Sequence, residues 1–214
     1  MSSDTDRSCD KRARILEAAY RVCERCGVDG ARMEEVAGLA QVSKGTLYRF
    51  FESKEHLLLA TLIDSYEQLL DLVDLPVGSD AGPRERLDAL LDAMTRVLEE
   101  FAPRMNVHYQ AWGLVAKVPE LQDRLHGFLR EFHGERAREV EQTVREGQHG
   151  GVFRRDADAV TFADGVQALL SGFLYRATFD PEQASPGQLR TCLSAMVRDG
   201  LLPESTREGE EIDG

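Results

Sequence analysis

The residues 41–55, QVSKGTLYRFFESKE, gather hydroxyl, ammonium and guanidinium groups around a run of aromatic side chains. At about 100° per residue, a helix over Lys44–Phe51 sets Leu47, Phe50 and Phe51 on one side. Gly45 and Arg49, flanked by Thr46 and Tyr48, fall on the other, with Lys44 in the first turn. Glycine inside a helix costs about 1 kcal/mol relative to alanine, which is explicable where another surface approaches the backbone. The outer face has the chemistry to meet nucleic acid. Lys44, Thr46, Tyr48 and Lys54 suit phosphate oxygens, and Arg49 suits a base edge through its planar fork. Ser43 is the expected N-cap, and Arg32, just before the preceding short helix, is a weaker addition to the set.

A second constellation lies in residues 105–117, MNVHYQAWGLVAK. Met105, His108, Tyr109 and Trp112 recur at helical spacing, so one face carries a thioether, an imidazole, a phenol and the chain's single indole. Such a face fits either a plain core stripe or the wall of a small-molecule pocket, which is mostly apolar with a few placed polar groups. A third pattern pairs two segments. Thr161, Gly165, Ala168 and Gly172 form a stripe of small residues, and Leu189, Leu193, Met196 and Val197 a matching apolar one. Two such helices from each of two chains would make a two-fold four-helix interface, and the same pattern would also serve the core of one chain.

Other chemistries find little support. His56, His108, His126, His133 and His149 never stand four apart, and His126 and His133, seven apart on one helix, are about 10 Å distant, so no metal site is predicted. No nucleophile motif, phosphate-cradling glycine loop or paired acid occurs, so neither an enzyme nor a cofactor is expected. The Cys23 and Cys26 pair, three apart, would sit on the apolar stripe of the first helix as small hydrophobes, since helical residues at that spacing stand wider than a disulfide prefers. A thiol switch involving them and Cys9 is the alternative reading. The longest apolar runs are far shorter than the roughly 20 residues of a membrane span, and no signal peptide is evident, so a cytoplasmic protein is expected.

The formal charge of −12 is unevenly spread. Residues 1–60 hold ten Lys/Arg against ten Asp/Glu, leaving sixteen against twenty-eight in the rest. A neutral front can still present a basic face to a polyanion.

The elements that must position these residues are all helical, because apolar residues recur at helical spacing almost throughout and no strand alternation appears. About nine helices are expected: Lys11–Cys26, Met33–Ala40, Lys44–Phe51 and Lys54–Asp74, then residues 83–101, 103–117, 119–148, 157–177 and 186–200. Gly27 stops the first, Ser43 and Ser53 cap the third and fourth, and Pro/Gly-rich stretches separate the later ones. The resulting plan is a flexible arm over 1–10, a helix-turn-helix domain over 11–56, a binding and dimerisation domain over 57–202, and a disordered tail over 203–214.

From Ile15 to Leu59 the chain resembles the N-terminal DNA-binding domain of the tetracycline-repressor (TetR) family, in ILEAA of the first helix, the glycine that ends it, and VSKGTLYRFFESKEHLL. The resemblance implies a homodimer on a pseudopalindromic operator and release by a small-molecule effector, apolar or aromatic, with a cationic group also compatible with the acidic domain. The cavity of such proteins points to Tyr66, Leu69, Met94, Phe128, Phe132 and Gln167 as further ligand residues beside Met105, His108, Tyr109 and Trp112. A helical binding module without DNA binding is the rival, opposed by the intact SKGTLYR. One departure stands out. The family commonly has Thr or Ser before its second helix, whereas Ala31 and Arg32 stand here, and the missing cap costs about 1 kcal/mol.

Overall fold

A computed structural model describes residues 2–73 and 80–204, with side chains over 9–69 and 80–204, and the described residues form nine α-helices and one short 3-10 turn. They are α1 (Ser2–Gly30), α2 (Met33–Leu39), α3 (Lys44–Phe50), α4 (Lys54–Val73), α5 (Pro83–Phe101), α6 (Met105–Val115), α7 (Pro119–His149), α8 (Ala159–Ala177) and α9 (Pro186–Gly200). No strand occurs among the described residues. The helices group into two compact units. The first holds α1 to α3, α4 as far as Gln68, α6, and α7 as far as Leu129; the second holds α5, α7 from Arg130, α8 and α9.

This division differs from the expected boundary at 56/57, and the first core shows why. Ile15, Leu16, Ala19 and Val22 of α1 meet Val36 and Ala37 of α2, Leu47 of α3, and Leu57, Leu59 and Leu62 of α4. Val107, Ala111 and Val115 of α6, with Leu121 and Leu125 of α7, join the same cluster. Each buried Val, Leu or Ile side chain among them contributes about 1.5–3 kcal/mol. Two polar ties fix the frame: Arg14 Nη2 donates to the Ala40 carbonyl at 2.6 Å, and the Val28 amide donates to Gln110 Oε1 at 3.1 Å.

α1 begins at Ser2, through the residues expected to be a loose arm; no glycine or proline interrupts residues 2–26, so nothing local stops it. Gly27, at φ +75°, kinks the helix before a last turn to Gly30, a conformation that favours glycine. Cys23 is buried as expected, and burial pushes its thiol up to about 11 despite the opposing charge of Lys54. Cys26 departs from expectation. It is exposed, past Cys23, the last core residue of α1 before the kink at Gly27, and its thiol donates to the Val22 carbonyl at 3.1 Å.

The second unit packs α5, α8 and α9 with the end of α7. Leu87, Leu91, Val144, Phe153, Val166, Leu189 and Leu193 are its centre. Two side-chain caps form at its helix starts: Asp158 accepts from the Thr161 amide at 3.0 Å, and Ser185 accepts from the Gln188 amide at 3.3 Å in a reciprocal capping box. Gly147 near the end of α7 lies directly under the Phe153 ring; a Cβ there would stand 2.1 Å from it. The tail expected over 203–214 lies, from residue 205, outside the described residues.

Candidate nucleic-acid interface

α2 and α3 are joined by a four-residue reversal, Ala40 to Ser43, that sets their angle. The Val42 amide donates to the Ala37 carbonyl at 3.0 Å and the Gln41 amide to Gly38 at 3.1 Å, the double closure that ends many helices. Gln41 occupies the left-handed position at φ +54°, where glycine is customary. The α3 start is capped as expected: Ser43 Oγ accepts from the Thr46 amide at 3.1 Å and shares a 2.9 Å bond with the Thr46 hydroxyl. At the other end the Phe51 amide donates to Leu47, and Ser53 Oγ accepts from the His56 amide at 3.3 Å to open α4. Leu47 and Phe51 are buried while Phe50 is half-buried, so the inner face of α3 is anchored mainly at its middle and end.

The outer face carries Ser43, Lys44, Gly45, Tyr48 and Arg49, all exposed, with Thr46 half-buried at its edge. Tyr48 keeps 40% of its surface open, high for an aromatic ring on so short a helix. Around Gly45 the chain is empty: a Cβ placed there would find only Ser43 Oγ, at 4.0 Å. Nothing within the protein requires glycine at this point. Arg49 makes no ion pair among the described residues. Lys44 is differently placed. Its ammonium bonds the Glu34 carboxylate of α2 and stands 5.8 Å from the Tyr48 ring centre. That ammonium holds Glu34 below the usual carboxylate range. Sequence reading missed Glu34, ten residues away and indistinguishable from any acid in a first turn.

Two predicted residues stand apart from this face. Lys54, half-buried, donates to the Asp29 carbonyl at 3.0 Å and so ties the start of α4 to the end of α1. Arg32 is the exposed residue before α2 and makes no side-chain cap, as its type leads one to expect.

The predicted ligand residues divide between the units. In the first, Tyr66, Met105 and His108 are buried, and the rings of Tyr66 and His108 meet edge-on at 5.5 Å, with Phe128 at 6.0 Å from Tyr66. Burial, with Arg104 as the lesser cause, pushes His108 down to about 4, and burial raises the Tyr66 phenol. Tyr109 and Trp112, half-buried, stand edge to face at 6.2 Å. The Trp112 indole nitrogen is buried without an acceptor among the described residues. Leu69, Met94, Phe132 and Gln167 belong to the second unit, where Met94 is part of the packed core and Gln167 is half-buried on α8.

The interface stripes are resolved unequally. On α8, Thr161, Ala168 and Gly172 are exposed, and Gly165 is half-buried with the Met196 side chain 3.2 Å from where a Cβ would stand. On α9, however, Leu189, Leu193 and Val197 are at most 1% exposed, committed to the chain's own core against α5 and α8. Those three are corrected from interface to core, with Met196 half-buried between the two roles. The face of α8 left open also carries Val160 and Tyr175, and Phe179 follows the helix.

No helix among the described residues is long and apolar enough to cross a membrane, and none of their His, Cys, Asp and Glu groups gather as metal ligands. Residues 15–61 match the bacterial regulatory proteins of the tetR family, and residues 83–202, more than half of the chain, match the C-terminal part of BetI-type transcriptional repressors. The chain is 36% identical over 90 residues to the transcriptional repressor KstR of Rhodococcus jostii, a match covering 42% of each chain, so it spans less than half the length of that relative. It is 29% identical over 166 residues to the regulator BetI of Rhizobium meliloti, covering 78% of this chain and 77% of BetI. A regulator from Saccharomonospora viridis, solved in complex with choline, superposes with a TM-score of 0.71 at 25% identity, covering 90% of this chain and 98% of the other. The chain thus belongs to the TetR family of bacterial regulatory proteins, with a C-terminal part of the BetI type.

Proposed function

We propose that this protein is a transcriptional repressor that binds a pseudopalindromic operator as a homodimer and leaves it when a small organic effector binds. The observation that carries the reading is the outer face of α3, where Gly45 faces open space between Lys44, Tyr48 and Arg49. A duplex backbone can approach there closely enough for Ser43, Lys44, Thr46 and Tyr48 to hold phosphates while Arg49 reaches a base edge. Two such faces, about 34–36 Å apart in a dimer, would read successive major grooves. The open face of α8, small at Ala168 and Gly172 and apolar at Val160 and Tyr175, supplies the two-fold contact.

The effector is assigned to the aromatic cluster of Tyr66, His108 and Phe128 with Tyr109 and Trp112. A buried indole N–H without an acceptor costs about 1–3 kcal/mol, which a ligand oxygen would relieve. With its pKa near 4 the imidazole is neutral in the physiological range, so it offers ring surface without charge. Aromatic faces attract quaternary ammonium groups, and the neighbour from Saccharomonospora viridis was solved with choline, so choline is the first compound to test. Coupling to DNA has a material route, because α6 is built into the first core and Gln110 holds the α1 kink.

The test selects an operator from random duplexes, then measures its affinity and the emission of Trp112 against added compounds. The expected effector changes Trp112 emission and weakens operator binding, and operator weakens effector binding by the same factor. Selection of no sequence would overturn the reading. The thiol-switch alternative loses Cys23, which is buried and held protonated, and is left with the exposed Cys9 and Cys26.

A further inference from the structure

A groove of about 250 Å³ opens in the first unit beside the last residue of α3. Its floor is Phe50 with Leu59 and Ile63, which share one face of α4. Its rim carries three basic groups from three helices: Arg12 of α1, His56 of α4 and Arg124 of α7. Neither guanidinium makes an ion pair among the described residues. The rim's single carboxylate, Glu52, is turned to solvent and stands 3.9 Å from His56. Asp64 also feels the charge of Arg12, but it lines a different cavity with Glu17 and Tyr20. On a chain of net charge −12, two guanidinium groups without an ion-pair partner over an apolar floor suit an anionic occupant.

We propose that the groove binds a small amphipathic anion, a carboxylate carried on an apolar chain or ring. The carboxylate lies between Arg12 and Arg124, whose planar forks match its two oxygens, and the apolar body covers Phe50, Leu59 and Ile63. A cation meets the like charges of Arg12 and Arg124 at the rim, and a wholly apolar compound forgoes the charge-assisted bonds. A groove of this volume suits a small organic anion such as a medium-length alkanoate. The occupant touches Phe50, whose ring lies 6.3 Å from that of Phe51, so it braces the end of α3 against α4. The site shares no residue with the aromatic cluster or with the outer face of α3.

Calorimetric titration of the full chain with octanoate, octylamine and octanol, each below its micelle concentration, tests this without recourse to DNA. Octanoate is expected to bind saturably and octylamine not at all, with octanol at least tenfold weaker. Arg12→Gln with Arg124→Gln is expected to weaken octanoate at least tenfold while leaving the melting curve unchanged, since both side chains are exposed. Ile63→Thr, in the floor, is expected to weaken octanoate and octanol alike. Absence of saturable octanoate binding, equal binding by octylamine, or full retention in the double arginine variant overturns the proposal. If that variant keeps octanoate but loses operator affinity, the arginines serve the nucleic-acid backbone and the groove assignment falls.

Discussion

α3 and α8 each present an outward face containing a glycine for which the chain itself has no use. At Gly45 an added Cβ finds one atom at 4.0 Å, and at Gly172 it finds nothing within 4 Å. Their surroundings differ in kind. Beside Gly45 stand Ser43, Lys44, Tyr48 and Arg49; around Gly172 the same helix face offers Ala168, Val160 and Tyr175. A face of donors and cations suits a polyanion, and one of small and apolar groups suits another protein surface. Gly147 is the counterexample within the same chain, because the Phe153 ring fills the space above it. Space that the protein fills speaks of its own packing; open space alone says nothing, since Gly113, Gly127 and Gly134 have it too, and it is the side chains beside Gly45 and Gly172 that point to partners.

The largest effect should come from closing the α8 face. Gly172→Arg places bulk and charge where two copies are proposed to meet, without touching the monomer's own packing. Monomers that keep their helix content are expected in sedimentation, and operator affinity should fall by about 100-fold or more as the two reading heads become independent. A variant that sediments as a dimer breaks the comparison, for the open face of α8 would then need another explanation.

Next comes the face of α3. Arg49→Ala should cost about 1–3 kcal/mol of operator binding, roughly 5- to 150-fold, and relax preference at one base position. Lys44→Ala should weaken all sequences alike and reduce the salt slope by about one. Equal affinity of both variants and the parent for a selected operator would remove α3 from the interface.

How far these two faces could be read beforehand differs for a physical reason. The α3 face was legible because local chemistry defines it: a serine cap, a seven-residue helix and a turn leave no freedom about which side chains point out. Helix boundaries after Gly82 were legible for a similar reason, through prolines and glycines that act within a few positions. The interface on α9 was not. A helical wheel shows that Leu189, Leu193 and Val197 share a face, yet only the packed chain shows that this face is turned to α5 and α8. The membership of α6 in the first core was hidden likewise, since Val107 and Ala111 lie more than eighty residues from their α1 neighbours and no local pattern announces the meeting.

Gly147→Ala sharpens the contrast by testing a glycine that is explained from within. The methyl group would stand 2.1 Å from a ring that is 1% exposed, so Phe153 or the end of α7 must shift. Overpacking of this kind costs about 1–3 kcal/mol, which for a chain of this size lowers the melting temperature by several degrees. Sedimentation and operator affinity of the folded fraction should be unchanged. Unaltered stability would mean that the Phe153 seat is looser than the packing indicates.

Gly45→Ala carries the smallest expected effects, and they are opposite in sign. Gly45 has no positive φ and no neighbour for a methyl group to strike, so alanine fits the free protein without strain. Relative to glycine it restricts the unfolded chain and favours the helix, and the exposed first turn of α3 should gain about 0.5 kcal/mol of stability. The same methyl group protrudes where the duplex backbone is proposed to come closest, so operator affinity should fall several-fold while thermal stability rises. That divergence separates two explanations of one residue. Stability that rises with unchanged operator affinity would show that no surface approaches Gly45 closely, and the open space on α3 would lose its meaning as a sign of contact.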